Sequence, residues 1–316
     1  MKPAYFAIIA AMPFFFPSCS KTDGPNPLPV NDSIAPIGYK AYVNKVTGAG
    51  DQSTVVYFQC IYGVDNSVTY IGGGYSLLNF SYSGTQSINM FRYTEAPTSA
   101  RTEYTIVYDS ANQPQWGIRT VIAGEPPYSG PSRAPSSATI FLDSIRYKTV
   151  GGNITEIRFF DRRSATSHYP NFPSSTGAYL DTTLTIAGTL ETYQLSYLND
   201  NITKIHSEDR AGKIIDREYT YGTKKGMMYD IRLSPMIAPD LILQYPSLGL
   251  GMLFSFSKND LLLIKNTFVS ENNRTETTSL AYTYNKYEYP VALILSGPTT
   301  STTSLTGNKT MIITYK

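Results

Sequence analysis

The chain has 316 residues, a formal net charge of +2 and 16% charged side chains. So small a charge supplies no field to draw nucleic acid or an anionic membrane face, and two histidines with two cysteines, all far apart, do not make a zinc site. The compositional anomaly is 26 tyrosines, which with 23 glycines, 20 prolines and abundant Ser and Thr predict strands and turns.

Met1 and Lys2 precede an almost unbroken apolar run from Tyr5 to Phe16. A basic start, an apolar stretch of about 7 to 15 residues and small residues after it are the layout of a secretory signal. The run is shorter than the roughly 20 apolar residues of a membrane-spanning helix, and Pro13 and Pro17 interrupt it. Ser18, Cys19, Ser20 and Lys21, followed by Asp23, resemble a bacterial lipoprotein signal of the Bacteroidota kind. The resemblance implies that residues 1–18 are a cleaved signal peptide and that Cys19 becomes a lipidated N-terminus. It implies an outer-membrane lipoprotein, on the periplasmic or the cell-surface face, held to the membrane by its lipid. The alternative is a plain secreted protein in which Cys19 is incidental. Residues 19–38 are proline-rich and without periodicity, a tether extending about 3.1 Å per residue where polyproline-like.

Residues 39–316 are expected to form a domain of β-hairpin repeats. Cys60 sits among β-formers in VVYFQCIYG and reads as a buried, inert thiol with no disulfide partner once Cys19 carries lipid. The recurring unit is an apolar residue, one variable residue and an aromatic. It occurs as Phe80-Ser81-Tyr82, Ile106-Val107-Tyr108, Ile145-Arg146-Tyr147, Leu195-Ser196-Tyr197, Tyr219-Thr220-Tyr221, Phe254-Ser255-Phe256, Tyr282-Thr283-Tyr284 and Ile313-Thr314-Tyr315. The outer two residues of each triplet share one face of a strand, because side chains alternate with period two. All but the last are followed by a polar turn and a second alternating run, which is a strand, turn, strand unit.

A single hairpin cannot stabilise its own apolar face, so the repeats must stack into one sheet. The expected fold is all-β: a long, curved antiparallel meander of repeated hairpins, half-barrel or barrel-like, with open and closed forms both allowed. The loop at 124–137 carries four prolines and is one place where the domain could divide; the loop at 167–177 is another. Over roughly residues 50–316 the hairpins resemble a group of Bacteroidota lipoproteins with tandem "YxYd, turn, I" hairpins, described as porin-like or distantly like YD-repeat shells. That resemblance implies architecture and location and carries no activity, cofactor or catalytic residue; the acid after the aromatic is kept as Asp109.

Chemistry is sparsely signalled. Gly72, Gly73 and Gly74 lack the following helix of a phosphate loop and mark a strand bend or bulge. The Asn199-Asp200-Asn201 stretch lacks the acidic ladder of a calcium loop and reads as a hairpin turn. Glu156, Asp161, Glu208 and Asp209, the last two near His206, are the carboxylates from which a glycosidase pair would be drawn; charged positions on a wet strand face explain them as well. Aromatics outside the triplets are the remaining lead: Trp116, Tyr128 and Tyr169 are the proposed ligand-binding residues, with Tyr229, Tyr287 and Tyr289 beside them. The expected function is a non-enzymatic binding or scaffolding protein of the envelope, with a glycan or an envelope protein as partner and no cofactor; a hydrolase of polysaccharide or peptidoglycan is the alternative.

Overall fold

The computed structural model describes residues 42–49, 56–63, 67–73, 76–83, 87–95, 101–123, 137–168, 183–230, 258–297 and 308–315. Cys19, the tether, Tyr128, Tyr169 and the triplet at 254–256 lie outside the described residues. Sixteen strands are described: β1 (Val43–Gly48), β2 (Val56–Tyr62), β3 (Val68–Gly73), β4 (Ser76–Ser83), β5 (Ser87–Glu95), β6 (Arg101–Tyr108), β7 (Pro114–Ala123), β8 (Ser137–Val150), β9 (Asn153–His168), β10 (Thr183–Leu198), β11 (Asn201–Asp209), β12 (Ile214–Lys225), β13 (Asn259–Phe268), β14 (Arg274–Tyr284), β15 (Pro290–Ser296) and β16 (Asn308–Tyr315).

Every strand pairs antiparallel with its neighbours in the chain, and β1 pairs with both β2 and β16, from Val43↔Tyr315 to Gly48↔Met311, so the meander closes into a barrel. β7 and β8, on either side of the proline-rich loop, pair from Trp116↔Arg146 to Ala123↔Thr139, so the sheet runs on across that point.

The turns explain the register. Leu198–Asn201 and Val150–Asn153 are two-residue hairpins whose central residues, Asn199 and Asp200 or Gly151 and Gly152, all have positive φ. That geometry matches the strand twist and favours Asn, Asp and Gly. Three further hairpins share one longer loop. Asp109 accepts from the N–H groups of Ala111 and Gln113, both at 2.9 Å; Asp209 does the same with Ala211 and Lys213 at 2.9 Å, and Asn285 with Tyr287 and Tyr289 at 2.9 and 3.1 Å. The residue three places on is left-handed in each: Asn112 at φ 58°, Gly212 at 77° and Glu288 at 67°. The acid after the aromatic is therefore kept in role at Asn285 as well as at Asp109.

The triplets fall on the even-numbered strands, near their C-terminal ends, and layer the interior. The first residues, Ile106, Ile145, Leu195, Tyr219 and Ile313 among them, are buried in one continuous core that also holds Val43, Ile71, Cys60 and Leu293. Toward the end of the barrel, tyrosines lock hairpins across strands. Each donates its hydroxyl to a carbonyl near the start of the preceding strand: Tyr62 to Val43 at 2.5 Å, Tyr197 to Ile154 at 2.7 Å, Tyr221 to Ile202 at 2.7 Å, Tyr282 to Leu261 at 2.9 Å and Tyr315 to Pro290 at 2.8 Å. Burial pushes the phenols of Tyr62, Tyr197, Tyr282 and Tyr315 above their usual range. Burial also pushes the Cys60 thiol up to about 12, so it stays protonated and unreactive at neutral pH.

The two faces of the wall have opposite character. On β14, Glu276, Thr278 and Leu280 are buried while Thr275, Thr277, Ser279 and Ala281 are exposed. A membrane-spanning barrel reverses this arrangement, with an apolar band outside and a polar lumen. A round barrel of 16 strands leaves a channel, yet here inward residues such as Val43, Ile71, Leu293 and Leu295 are fully covered. The interior they line is a packed core.

Candidate functional site

Two places bring chemistry-bearing residues together. The first is the outward face of β7, β8 and β9. Trp116 is 45% exposed and Ile118, two residues on along the same face, is 38% exposed. The register sets Trp116 beside Arg146 and Arg146 beside Arg158, all facing outward, while Ile118 continues through Ser144 to Phe160. The Arg146 guanidinium lies 5.3 Å from the centre of the Phe160 ring, and Arg158 pairs with Glu156 at 3.0 Å. The result is an exposed indole with Arg146 on the next strand, Arg158 one strand beyond it, and a short apolar strip alongside. Gly117 sits inward between Trp116 and Ile118, where a Cβ would lie 2.5 Å from the Thr105 carbonyl, so β6 and β7 approach closely beneath the platform.

The second place is inside. On β8, β10 and β12 the inward residues preceding the triplets are polar: Asp143, Tyr193 with Glu191 before it, and Arg217. Fully buried Asp143 receives Arg119 Nε at 2.9 Å and Arg162 Nε and Nη2 at 2.7 and 2.8 Å. Arg119 reaches on to Glu191 at 3.1 Å and lies 4.1 Å from the centre of the Phe159 ring, and Tyr193 donates to Glu191 at 2.8 Å. Burial would raise the Asp143 carboxyl, but hydrogen bonds from Arg162 and the charge of Arg119 outweigh it and hold it below the usual range. This ion network is stationed between the main core and a smaller cluster of Ile122, Ile140 and Ala165.

The carboxylates proposed for hydrolysis do not converge. Glu156 is tied to Arg158 on the outer face, Asp161 accepts from the Gly188 N–H at 2.8 Å, Asp209 caps its turn and Glu208 is exposed. His206 pairs through Nδ1 with Asp216 at 2.6 Å, and Lys204 joins at 2.8 Å. Burial opposes the ionised Asp216, but those two hydrogen bonds lower its pKa. A groove of about 430 Å³, lined by residues that include Leu198, Asn201, Thr203, Tyr221 and Asn259, contains neither a carboxylate nor a histidine.

Of the aromatics put forward from sequence, Trp116 is exposed as a platform requires. Tyr289 is corrected: it is buried, its ring lies 5.8 Å from that of Tyr315 and its hydroxyl donates to Asp230 at 2.6 Å, so it is part of the core. Gly72 is likewise a packing residue; a Cβ there would run into the Tyr70 ring. The interior ions Arg119, Asp143, Arg162 and Glu191 are absent from the sequence-based candidates.

Neither a family model nor a curated protein matches this chain. Among solved structures, a porin-like protein from Bacteroides vulgatus is similar at 10% identity, over 88% of this chain and 99% of that one, with a TM-score of 0.43. A porin-like protein from Bacteroides uniformis is similar at 11% identity, over 76% and 96%, with a TM-score of 0.30.

Proposed function

We propose that the chain is a lipid-anchored binding protein of the bacterial envelope, tethered at Cys19, whose closed barrel displays the Trp116 face to a glycan. One observation carries the reading: an indole left 45% exposed on a strand, with Arg146 in register beside it and Arg158 one strand beyond. Indole faces stack on the apolar faces of sugar rings, and paired guanidinium groups recognise carboxylate or sulfate substituents. An acidic polysaccharide therefore suits the face better than a neutral one. The polar outer wall and filled interior support a display surface held away from the bilayer by its proline-rich leash.

The test is a glycan array probed with the full chain in detergent. Trp116→Ala should weaken binding about thirtyfold, as for a central aromatic anchor, and leave the melting temperature unchanged, because the side chain is outside the core. Binding indifferent to that substitution removes Trp116 from the site. Fatty-acid labelling with mass spectrometry of the mature N-terminus checks the anchor, and an unmodified Cys19 in processed protein refutes it.

A further inference from the structure

Arg217 faces the barrel interior, only 6% exposed, between outward-facing Asp216 and Glu218. An arginine keeps its proton at any ordinary pH, and a buried charge is tolerated only when paired. Arg119, in the same interior, meets this condition with two carboxylates. Arg217 does not: among the described residues no carboxylate and no hydrogen bond answers its guanidinium.

The neighbours repeat the deficit. Tyr219, two residues along the same inward face, has a fully buried hydroxyl without a partner. Asn266, directly across from Arg217 in the β12–β13 register, has a buried side-chain oxygen without a partner. Asn side-chain O and N are assigned from their surroundings, so the amide can equally turn its N–H groups inward. The interior carboxylates nearby are committed elsewhere. Glu191 is held by Arg119 and Tyr193, and Glu276, next in the row after Asn266, is held by Arg274. Asp216 is occupied by Lys204 and His206, and Glu218 by Lys265. Arg119 and Arg162 thus share Asp143 and Glu191, and among the described residues Arg217 is left without a carboxylate of its own. Burial pulls the Arg217 pKa down, which fits a buried cation with no counter-ion among the described residues.

We propose that the barrel interior holds a small oxyanion, a carboxylate or a phosphate, on Arg217, with the Tyr219 hydroxyl and the Asn266 amide as further donors. The guanidinium fork donates to such an anion in a bidentate manner, and buried Ile205 lies directly across from Arg217 on β11. The proposal is independent of the Trp116 face.

The test is thermal unfolding of the full chain in detergent at constant ionic strength, with chloride replaced stepwise by phosphate or by formate. A saturable rise of about 5 °C at a hundredfold excess over Kd is expected with one of the two anions, which identifies the source. Arg217→Met should abolish the rise, whereas Arg158→Met and Trp116→Ala should keep it. Tyr219→Phe retains the ring and should weaken the apparent affinity about fivefold, which keeps the proposal testable if Arg217→Met fails to fold. Ion chromatography of acid-denatured protein covers an anion retained through purification, with one equivalent released per wild-type chain. A wild type that neither releases an anion nor responds to phosphate or formate, or a response that survives both Arg217→Met and Tyr219→Phe, overturns the proposal in favour of ordered water.

Discussion

Arg119 and Arg217 enter the same barrel from strands at opposite ends of the β7–β12 arc, and they are treated differently. Arg119 is closed in by Asp143, Glu191 and the Phe159 ring, so its charge is spent inside the fold. Arg217 is equally covered but unanswered. The difference teaches that burial of charge in this core takes two forms: a saturated network that ties β7 to β10 together, and a group that no side chain among the described residues answers.

Removing Asp143 should give the largest effect. Asp143→Ala leaves Arg119 and Arg162 uncompensated and should cost about 3–5 kcal/mol in chemical denaturation. Arg217→Met in anion-free buffer should cost nothing or stabilise, since an apolar side chain of similar length then replaces an unpaired ion. Equal losses at both positions would erase the distinction. The same contrast sets a pH dependence. Because the folded pKa of Asp143 is depressed, its contribution is fully present above the unfolded value of about 3.9 and is lost as pH falls below it. Wild type should therefore lose stability below about pH 4, and Asp143→Asn should lose less over that window.

Tyrosine hydroxyls offer the next comparison. Tyr221→Phe removes the bond to the Ile202 carbonyl and should cost about 1 kcal/mol. Tyr219→Phe removes an unpartnered hydroxyl and should cost nothing in anion-free buffer. The smallest effect belongs to a site outside the interior: Glu288→Gly relieves a left-handed residue at φ 67°. It should raise the melting temperature slightly, because the exposed pair with Lys224 contributes little. A loss there would mean that the Lys224 contact outweighs the backbone strain.

The triplets made most of the sheet legible, because period-two alternation is a local property and each hairpin carries its own turn chemistry. Closure was not legible. It depends on Val43–Gly48 meeting Asn308–Tyr315, and neither segment names its partner. The interior ions escaped for a related reason: charged residues within strands were assigned to the wet face. The phase of the alternation contradicts that assignment. Arg217-Glu218-Tyr219-Thr220-Tyr221 and Glu191-Thr192-Tyr193-Gln194-Leu195 place Arg217 and Glu191 in step with the apolar positions, and Glu218 and Gln194 out of step. A charge in step with the core face was the available signal. Trp116 had none, since an exposed and a buried indole read alike in a strand.

The pairing of β1 with β16 has a kinetic side. A ring has no free edge to recruit a second chain, but the ring exists only once its most distant segments have met. Such contacts are the slowest to form. The sheet therefore keeps one unpaired margin at β1 until β16 is in place. Deletion of β16 should turn the closed ring into a sheet with two adhesive borders.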